Sequence, residues 1–310
     1  MIAAIPYFGL GTYNLPIPGL GNLPLDPWAI LVCFGFVFGL EVGRARAIRL
    51  GMDVRDIVDG AVVTVGTGFV VGHIFTVVFY FPERLTDEGI WAILKLWTGF
   101  SSMGGFVGAV LGSVLFYTVI RKRPYWRYAD VISFGFPFGW LFGRLGCGVV
   151  HDHVGSTTTL PFGMDFDAGI KNFQWVAGDP FPWADGIRHE LGLYEMAYMI
   201  PVCLVWLWLA KKDWPPGFFT ALFGAVYMPV RFGLDFLRNS DLQNQDARYL
   251  LLTPAQWGCI IFFGVCLFVL YRLDWKGFRP WPMDSLPDQA RRALEEKRAE
   301  PPQQEAHDGQ

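Results

Sequence analysis

The chain has 310 residues, of which 53% are hydrophobic and 17% aromatic, and its mean hydropathy is +0.32. Charged residues make up 17% of the chain, against about 25% in an ordinary soluble domain, which excludes a soluble globular protein with a conventional charged surface. The formal net charge of −3 says little more, because the distribution of charge in a membrane protein is more informative than its sum. The composition therefore predicts a polytopic membrane protein.

Seven apolar runs each predict a membrane-spanning helix, and together they predict an all-α fold. The runs cover residues 28–44, 57–81, 100–120, 130–150, 190–210, 217–237 and 254–272. Basic residues follow the first, third, fifth and seventh runs, and the opposite side carries clearly fewer. These are Arg44, Arg46, Arg49, Arg55, Arg121, Lys122, Arg123, Arg127, Lys211, Lys212, Arg272, Lys276 and Arg279. The positive-inside rule then predicts an external N-terminus and a cytoplasmic C-terminus.

Segments outside the apolar runs complete the predicted organisation. Residues 1–27 are rich in Gly, Pro and aromatic residues and are predicted to lie on the outer surface. Residues 151–189 are polar and aromatic, and they are predicted to form a small external head within a transmembrane domain of residues 28–275. Residues 276–310 are predicted to be a charged, disordered cytoplasmic tail with one short helix at Asp288–Arg298.

Arg144 is the only charged residue in the segment Val131–Val150 of the fourth run. A charged side chain near the bilayer centre costs at least about 2.5–3.5 kcal/mol on insertion scales, so it is kept where it meets a partner, an anion or a wet cavity. Arg231 and Asp235 share a helix face in the sixth run through their i,i+4 spacing. Two such arginines predict a site for an anionic group at lipid depth, first of all a phospholipid phosphate. The alternative is a structural ion pair of Arg144 with Asp235, Glu195 or Glu41.

Two groups beside these charges could carry chemistry. Gly104 and Gly105 open the third run, where small residues allow close helix packing or the approach of a substrate to the backbone. His151, Asp152 and His153 end the fourth run on its outer side. A neutral imidazole there could act as a base near pH 7. A metal pair is the other interpretation, but the sequence shows no third ligand.

The fifth and sixth runs carry three more polar residues of interest. Tyr194 and Glu195 lie at the start of the fifth run, and pairing with an arginine is the default interpretation of Glu195. Arg238 lies at the outer end of the sixth run. The five cysteines lie in apolar segments without a CxxC motif, so they are predicted to pack without disulfides. Cys147 is distinguished by its position three residues after Arg144.

In their order, these segments resemble the prolipoprotein diacylglyceryl transferase family, bacterial inner-membrane enzymes that lipidate lipoproteins. The family signature Gly-Arg-x-Gly-Asn-Phe-x-Asn-x-Glu is matched at Gly143–Asp152, and Arg-His-Pro-x-Gln-x-Tyr-Glu at Arg188–Glu195. Phe-Arg-x-x-x-Glu-Phe-x-Arg is matched at Val230–Arg238, Trp-x-Gly at Trp97–Gly99, and His-Gly-Gly at Met103–Gly105. The glutamine that begins the family's last helix matches Gln256. Each motif is degenerate, but four motifs in order on seven runs are fairly specific.

The resemblance covers residues 28–275, and within it several positions depart from the family pattern. Met103 stands for the catalytic histidine, Cys147 for the signature asparagine, Trp28 for a tyrosine in the first helix and His73 for an arginine in the second. The two membrane arginines are kept as Arg144 and Arg231. The phosphate-handling part therefore matches the family, whereas the thiol-activating part differs.

The resemblance implies transfer of the diacylglyceryl group of phosphatidylglycerol to a lipobox cysteine in a prolipoprotein signal peptide, with release of glycerol phosphate. The two arginines are expected to hold the leaving phosphate, and His151, Asp152 or His153 to replace Met103 as the base. Residues expected to bind substrate are Arg144, Arg231, Arg238, Gly104, Gly105, Tyr194, Glu195 and Asp235. We expect the bacterial inner membrane as location, and neither a cofactor, a metal ion nor a nucleic acid partner.

Two other hypotheses remain open at the level of sequence. A family member that has lost this reaction would bind or modify phospholipid in another way. Met103 favours that hypothesis, because a thioether has no proton to give and no useful basicity. A transporter or channel is the third hypothesis, although transporters often show internal repeats and none is visible. We expect slow or absent transfer to a standard lipobox peptide, and higher activity for Met103→His.

Overall fold

A computed structural model describes residues 4–18, 21–96, 99, 101–167, 184–242 and 246–278. These residues are mostly helical, and we number their α-helices in chain order. The helices are α1 (Pro27–Arg49), α2 (Val54–Phe75), α3 (Glu83–Glu88), α4 (Trp91–Leu94), α5 (Ser102–Val114), α6 (Tyr125–Val150), α7 (Leu191–Leu209), α8 (Phe218–Leu234) and α9 (Pro254–Arg272). The predicted tail helix Asp288–Arg298, together with Trp97 and Thr98 of the Trp-x-Gly match, lies outside the described residues.

Five of the described helices are long and apolar enough to cross a membrane. They are α1, α2 with its π-helical end Thr76–Tyr80, α5 with its π-helical end Leu115–Ile120, α7 and α9. Length and composition thus support a membrane protein. Two further long helices, α6 and α8, contain the fourth and sixth predicted runs, and each carries one of the two arginines.

Local sequence signals fix where the helices begin. Asp26 accepts a hydrogen bond from the backbone N–H of Ala29, and Pro27 occupies the first position of α1. Thr253 and Gln256 form a reciprocal capping box at the start of α9. The start of α8 is capped from another helix, because Asp130 of α6 accepts from the N–H groups of Gly217 and Thr220, both at 2.9 Å. This contact places the second turn of α6 beside the α7–α8 connection.

Glycines join two helix pairs, α1 with α6 and α2 with α5. A Cβ atom added to Gly139 of α6 would lie 2.5 Å from the carbonyl oxygen of Gly35 in α1. A Cβ added to Gly108 of α5 would lie 2.5 Å from the carbonyl oxygen of Thr67 in α2. Small residues permit this approach of backbones, and it lets membrane helices associate by dispersion where no hydrophobic driving force acts between them.

A third group of helices, α6 to α9, packs around large side chains. The buried residues at their centre include Phe134, Met199, Trp206, Phe219, Phe223 and Tyr227. Three of these helices contain an internal proline: Pro137 in α6, Pro201 in α7 and Pro229 in α8. Each proline lies between the site residue of its helix (Arg144 in α6, Glu195 in α7 or Arg231 in α8) and the end of the helix that meets the α7–α8 connection.

Among the described residues, six short strands lie outside the long helices and were not part of the all-α prediction. They are β1 (Ile5–Pro6), β2 (Tyr13–Ile17), β3 (Gly21–Leu25), β4 (Val154–Thr157), β5 (Met164–Asp165) and β6 (Ile187–Glu190). One sheet has the order β1-β5-β6-β4, and β2 and β3 form a separate hairpin. β6 continues directly into α7, and an antiparallel bridge from Gly155 to Arg238 ties the sheet to the end of α8. The sheet therefore lies where α6 ends and α7 begins.

Candidate active site

One carboxylate, that of Glu195 in the second turn of α7, lies at the centre of the polar contacts within the helices. Its Oε2 atom is 3.0 Å from Nε of Arg144, and its Oε1 atom is 3.5 Å from Nη1 of Arg231. Glu195 is fully buried, and both arginines are at most 4% exposed. The arginines of α6 and α8 thus meet on one carboxylate of α7. Glu41, another partner considered from sequence, pairs instead with Arg44 at 2.7 Å.

Tyr227 and Trp140 extend this contact on the side of Arg144. The hydroxyl of Tyr227 donates a short hydrogen bond to Glu195. It also accepts from the indole N–H of Trp140 at 3.0 Å and from Nη2 of Arg144 at 3.4 Å. The guanidinium of Arg144 lies 4.5 Å from the centre of the Trp140 ring, a cation–π contact. These contacts fix the plane of the Arg144 guanidinium.

Asp235 completes the contacts of Arg231 on the other side. The Asp235 carboxylate lies 3.1 Å from Nη1 of Arg231, and it accepts a short hydrogen bond from the hydroxyl of Thr253. Gln256, which shares the capping box with Thr253, donates to the backbone carbonyl of Phe232 at 3.4 Å. The start of α9 therefore holds the end of α8 in place around Arg231.

The hydrogen bonding of these buried charges is incomplete. Nε of Arg144, Nη1 of Arg231, Oε1 of Glu195 and Oδ1 of Asp235 have close oppositely charged neighbours but no well-directed hydrogen bond among the described residues. Buried polar groups are normally satisfied, so unused guanidinium N–H groups mark a place for a further acceptor. The oxygens of a phosphate match the planar fork of arginine, and the arrangement can hold such an anion.

A second polar corner adjoins Arg144 where α6 ends. Nη1 of Arg144 lies 3.9 Å from the sulfur of Cys147 and 3.5 Å from Nε2 of His153. The other ring nitrogen of His153 makes a short hydrogen bond with Asp152. Burial alone would raise the pKa of the Asp152 carboxyl, but the neighbouring His153 and Arg144 together lower that pKa by a larger amount. The pKa of Asp152 therefore lies below its usual range. Asp152 is thus an anion that orients the ring of His153.

Comparisons with known proteins bear on this arrangement. A family model described as prolipoprotein diacylglyceryl transferase matches residues 17–272. A phosphatidylglycerol–prolipoprotein diacylglyceryl transferase of Nitratidesulfovibrio vulgaris (strain DSM 19637 / Miyazaki F) is 30% identical over 82% of this chain and 91% of its own length. Proteins with the same name from Aliivibrio salmonicida and Vibrio vulnificus are 29% and 28% identical over 72% and 74% of this chain, and 75% and 83% of their own lengths.

This chain belongs to the prolipoprotein diacylglyceryl transferase family. Membership confirms the resemblance and makes the protein an enzyme of a transferase family, which removes the transporter hypothesis. The family match includes all four motifs of the sequence analysis. In the transferase fold, Arg144 of the motif Gly143–Asp152 and Arg231 of the motif Val230–Arg238 meet at Glu195, the last residue of the motif Arg188–Glu195.

His151 occupies a different environment in the transferase from its neighbour His153. Its Nδ1 atom lies 3.0 Å from a carboxylate oxygen of Glu190, and its Nε2 atom lies 2.5 Å from the carbonyl oxygen of Phe8. Both ring nitrogens of His151 therefore have oxygen partners within hydrogen-bond distance, and these partners lie away from Arg144 and Arg231. Burial raises the pKa of Glu190, and the hydrogen bond from His151 opposes that shift. His151 joins the N-terminal segment to β6.

Met103, Gly104 and Gly105 lie in the helix packing of the transferase. Met103 is 2% exposed, and its thioether lies against Gly258 of α9 so closely that a Cβ there would overlap it. A Cβ on Gly104 would overlap Phe75 of α2, and one on Gly105 would lie 3.9 Å from the carbonyl oxygen of Gly68. The two glycines predicted to bind substrate therefore have their described contacts with α2.

Tyr194 and Arg238, also predicted to bind substrate, make their described contacts beside the sheet. The hydroxyl of Tyr194 lies 3.0 Å from a ring nitrogen of His189 and donates to the carbonyl of Phe162 at 3.0 Å. Arg238 forms an ion pair with Asp246. Neither has a described contact with Arg144 or Arg231.

Two members of the site, Tyr227 and Trp140, were missed in the sequence analysis. In an apolar run, an aromatic residue is normally a packing residue, and nothing distinguished these two from their many neighbours. One signal was available, because Tyr227 lies four residues before Arg231 and therefore on the same face of α8. For Trp140 the same spacing to Arg144 holds in α6.

Proposed function

We propose that this enzyme transfers the diacylglyceryl group of phosphatidylglycerol to the thiol of a lipobox cysteine in a prolipoprotein. The names of the relatives give both substrates. The observation that carries the proposal is the pair of buried arginines that share Glu195 and keep N–H groups without directed hydrogen bonds. The oxygens of a phosphate could accept hydrogen bonds from those N–H groups.

The reaction is a substitution at the glyceryl carbon that bears the phosphate. The thiol sulfur forms the new S–C bond, the C–O bond to phosphate breaks, and glycerol phosphate leaves with the electron pair. Charge on the phosphate increases as the C–O bond breaks, and Arg144 and Arg231 stabilise it more strongly as it grows. Tyr227 and Trp140 keep the Arg144 guanidinium in one orientation, so that little reorganisation accompanies the reaction.

The thiol must lose its proton before or during attack. Met103 has no basic atom, and both ring nitrogens of His151 contact oxygen atoms of Glu190 and Phe8 rather than the arginines. Of the residues predicted to act as base, Asp152 and His153 suit the role best, because Asp152 holds one ring nitrogen and the other faces Arg144. We assign thiol activation to this corner.

The proposal includes the topology that the charge pattern predicts. α6 and α8 would cross the membrane with the five apolar helices, giving seven spans in residues 28–275. The sheet would lie outside as a small head formed by residues 151–189 with the N-terminal segment 1–27, and residues 276–310 would lie in the cytoplasm of a bacterial inner membrane. Reporter fusions at Lys212 and Thr158 should report opposite sides, and equal signals from both would contradict this topology.

Transfer itself is tested with phosphatidylglycerol labelled in its acyl chains and a lipobox peptide, together with rescue of a strain depleted of its own transferase. We expect slow formation of a thioether-linked diacylglyceryl peptide, with release of glycerol phosphate. The alternative is a family member that binds or modifies phospholipid without this reaction, and Met103 in the place of the histidine favours it. Saturable binding of phosphatidylglycerol, without a peptide product and without rescue of the depleted strain, would support the alternative. Under that alternative, Met103→His should make the protein transfer the lipid.

A further inference from the structure

The corner beside Arg144 contains three residue types that bind zinc together. The sulfur of Cys147, a carboxylate oxygen of Asp152 and a ring nitrogen of His153 all lie within 4.8 Å of one another. Ligand atoms around a tetrahedral zinc ion are about 3.4–3.6 Å apart, as follows from bond lengths near 2.0–2.3 Å. A closure of about 1 Å would therefore bring all three atoms onto one ion.

One donor side chain lies close to the sulfur of Cys147. Nη1 of Arg144 lies 3.9 Å from this sulfur. A guanidinium group is a donor only, so it can donate to a metal-bound sulfur. Cys147 is also one of the positions where the chain departs from the family pattern.

Access and charge at this corner also suit a metal ion. The exposed fraction of the side chain is 39% for Asp152 and 19% for His153, whereas Cys147 is buried beside Arg144. An ion and a thiol can therefore enter from the outer side and stop next to the arginine. Zn²⁺ with one thiolate and one carboxylate is neutral, so the loaded corner would carry no net charge beside Arg144, whose own charge is balanced by Glu195.

We propose that Cys147, Asp152 and His153 bind a Zn²⁺ ion, and that the acceptor cysteine of the substrate takes its fourth position. Three protein ligands with one open position are the arrangement of catalytic zinc sites. A thiol that coordinates zinc is deprotonated, and its proton is released to solvent. The ion would thus replace the missing histidine, so this inference deepens the proposed function and rests on it.

With the ion in place, the electron and proton balance of the transfer is complete. The zinc-bound thiolate attacks the glyceryl carbon, the S–C bond forms, and glycerol phosphate leaves with the electrons of the C–O bond. The product is a neutral thioether, which is a poorer zinc ligand than a thiolate, so the lipidated peptide can leave the open position. No oxidant or reductant takes part.

The first test measures metal binding without activity. Purified full-length protein in detergent is stripped with a chelator and titrated with Zn²⁺, and with Co²⁺ as a coloured probe. We expect about one ion per chain and a thiolate-to-cobalt absorption band. Cys147→Asn, which introduces the residue of the family pattern, should lose the band, and His153→Gln should weaken binding at least about 100-fold. Cys203→Ser, another cysteine within a helix, is the matched control and should bind as the native chain does.

No saturable binding by the native protein, or equal binding by Cys147→Asn, would overturn the zinc site. The second test compares lipid transfer by stripped and zinc-loaded protein. We expect transfer only with zinc, whereas Met103→His combined with Cys147→Asn should transfer without it. Full transfer by stripped native protein would overturn the role of zinc and leave the proposed function intact. Zinc bound through Cys147 with no lipid transfer under either condition would contradict the proposed function while supporting the metal site.

Discussion

Helix α6 packs against its neighbours in two ways. Toward α1 it presents glycines, and the two backbones come into direct contact at Gly139 and Gly35. Toward α7 and α8 it presents Arg144 and Trp140, which meet the buried groups of Glu195 and Tyr227. Both surfaces are buried in the same protein, so burial alone does not decide what joins two helices. The glycine contact fixes the distance between α1 and α6. The contact between charged groups leaves N–H groups that can donate hydrogen bonds to a bound ligand.

The largest effect is expected where the charged contact loses an arginine. Arg144→Ala or Arg231→Ala should reduce lipid transfer by at least about 1000-fold, because each removes a donor that stabilises charge on the leaving phosphate. Initial rates with labelled phosphatidylglycerol measure this. Arg55→Ala, at an exposed position in the first turn of α2, is the control and should transfer normally.

Lysine variants separate charge from geometry at the same two positions. Arg144→Lys and Arg231→Lys keep a cation beside Glu195, so the fold should persist, but they lose the planar fork that fits phosphate. Elution as a folded monodisperse protein with transfer reduced about 100-fold is expected. Normal transfer by both lysine variants would show that point charge suffices and that the fork has no role.

The glycine contact should respond in folding rather than in chemistry. Gly135→Val places a side chain against the backbone carbonyl of Gly39, and overpacking of this kind costs about 1–3 kcal/mol or more. The yield of folded protein and its thermal midpoint in detergent should fall. Gly66→Ala on α2 is the matched control, since a Cβ there meets nothing within 4 Å. Equal stability of the two variants would remove the distinction between the two contacts.

Tyr227→Phe tests the charged contact with a smaller change. It deletes the hydroxyl that contacts Glu195, Arg144 and Trp140 and keeps the ring in place. Hydrogen bonds to charged groups are worth about 1.5–3 kcal/mol, so the transfer rate should fall at least about tenfold while the fold persists. Tyr198→Phe, whose hydroxyl donates only to the carbonyl of Val226 among described contacts, is the comparison and should have a much smaller effect on rate.

The smallest effect on stability is expected for an ion pair that is partly exposed to water, the pair of Arg188 and Asp241. Arg188 donates to Asp241 at 2.7 Å, and this hydrogen bond holds the pKa of Asp241 below its usual value. A lowered folded-state pKa contributes stability above the unfolded-state pKa, and that stability is lost as pH falls through the folded-state pKa. The Asp241 side chain is 49% exposed, so screening should limit the effect to less than about 1 kcal/mol. The hydrogen-exchange protection factors of residues 187–190, which correct for the intrinsic pH dependence of exchange, should fall below about pH 4 in the native protein. Asp241→Asn should reduce that fall.

Much of the helical framework could be predicted because apolar runs and caps are local signals. The first helix nevertheless extends to Arg49 rather than ending near residue 44. The charged residues were expected to mark the end of the helix at the membrane boundary, but the helix continues past them. Within this extension, the guanidinium of Arg46 lies 4.3 Å from the centre of the Phe134 ring. The strands could not be predicted, because β1 and β5 are two residues long and pair across more than 150 residues of sequence. Their register depends on tertiary contacts that no local pattern encodes.

The candidate site divides in a similar way. Arg144, Arg231, Asp235 and Glu195 were predictable because charge is costly in an apolar run. Tyr227 and Trp140 were missed, because aromatic residues are common there and their four-residue spacing to the arginines does not show where their polar atoms lie. Cys147 was noticed for its spacing to Arg144, but its proximity to Asp152 and His153 depends on how the chain turns after Val150.

Three prolines interrupt the backbone hydrogen bonding of the helices that carry Arg144, Glu195 and Arg231. Pro137, Pro201 and Pro229 each leave a helical carbonyl without its usual N–H donor. All three interruptions lie on one side of the charged residues, between them and the aromatic packing near the α7–α8 connection. The segments that carry Arg144, Glu195 and Arg231 can therefore tilt apart while the opposite halves stay packed. Such an opening would break no additional backbone hydrogen bond at these three points, so its energetic cost would lie mainly in separating Arg144 and Arg231 from Glu195.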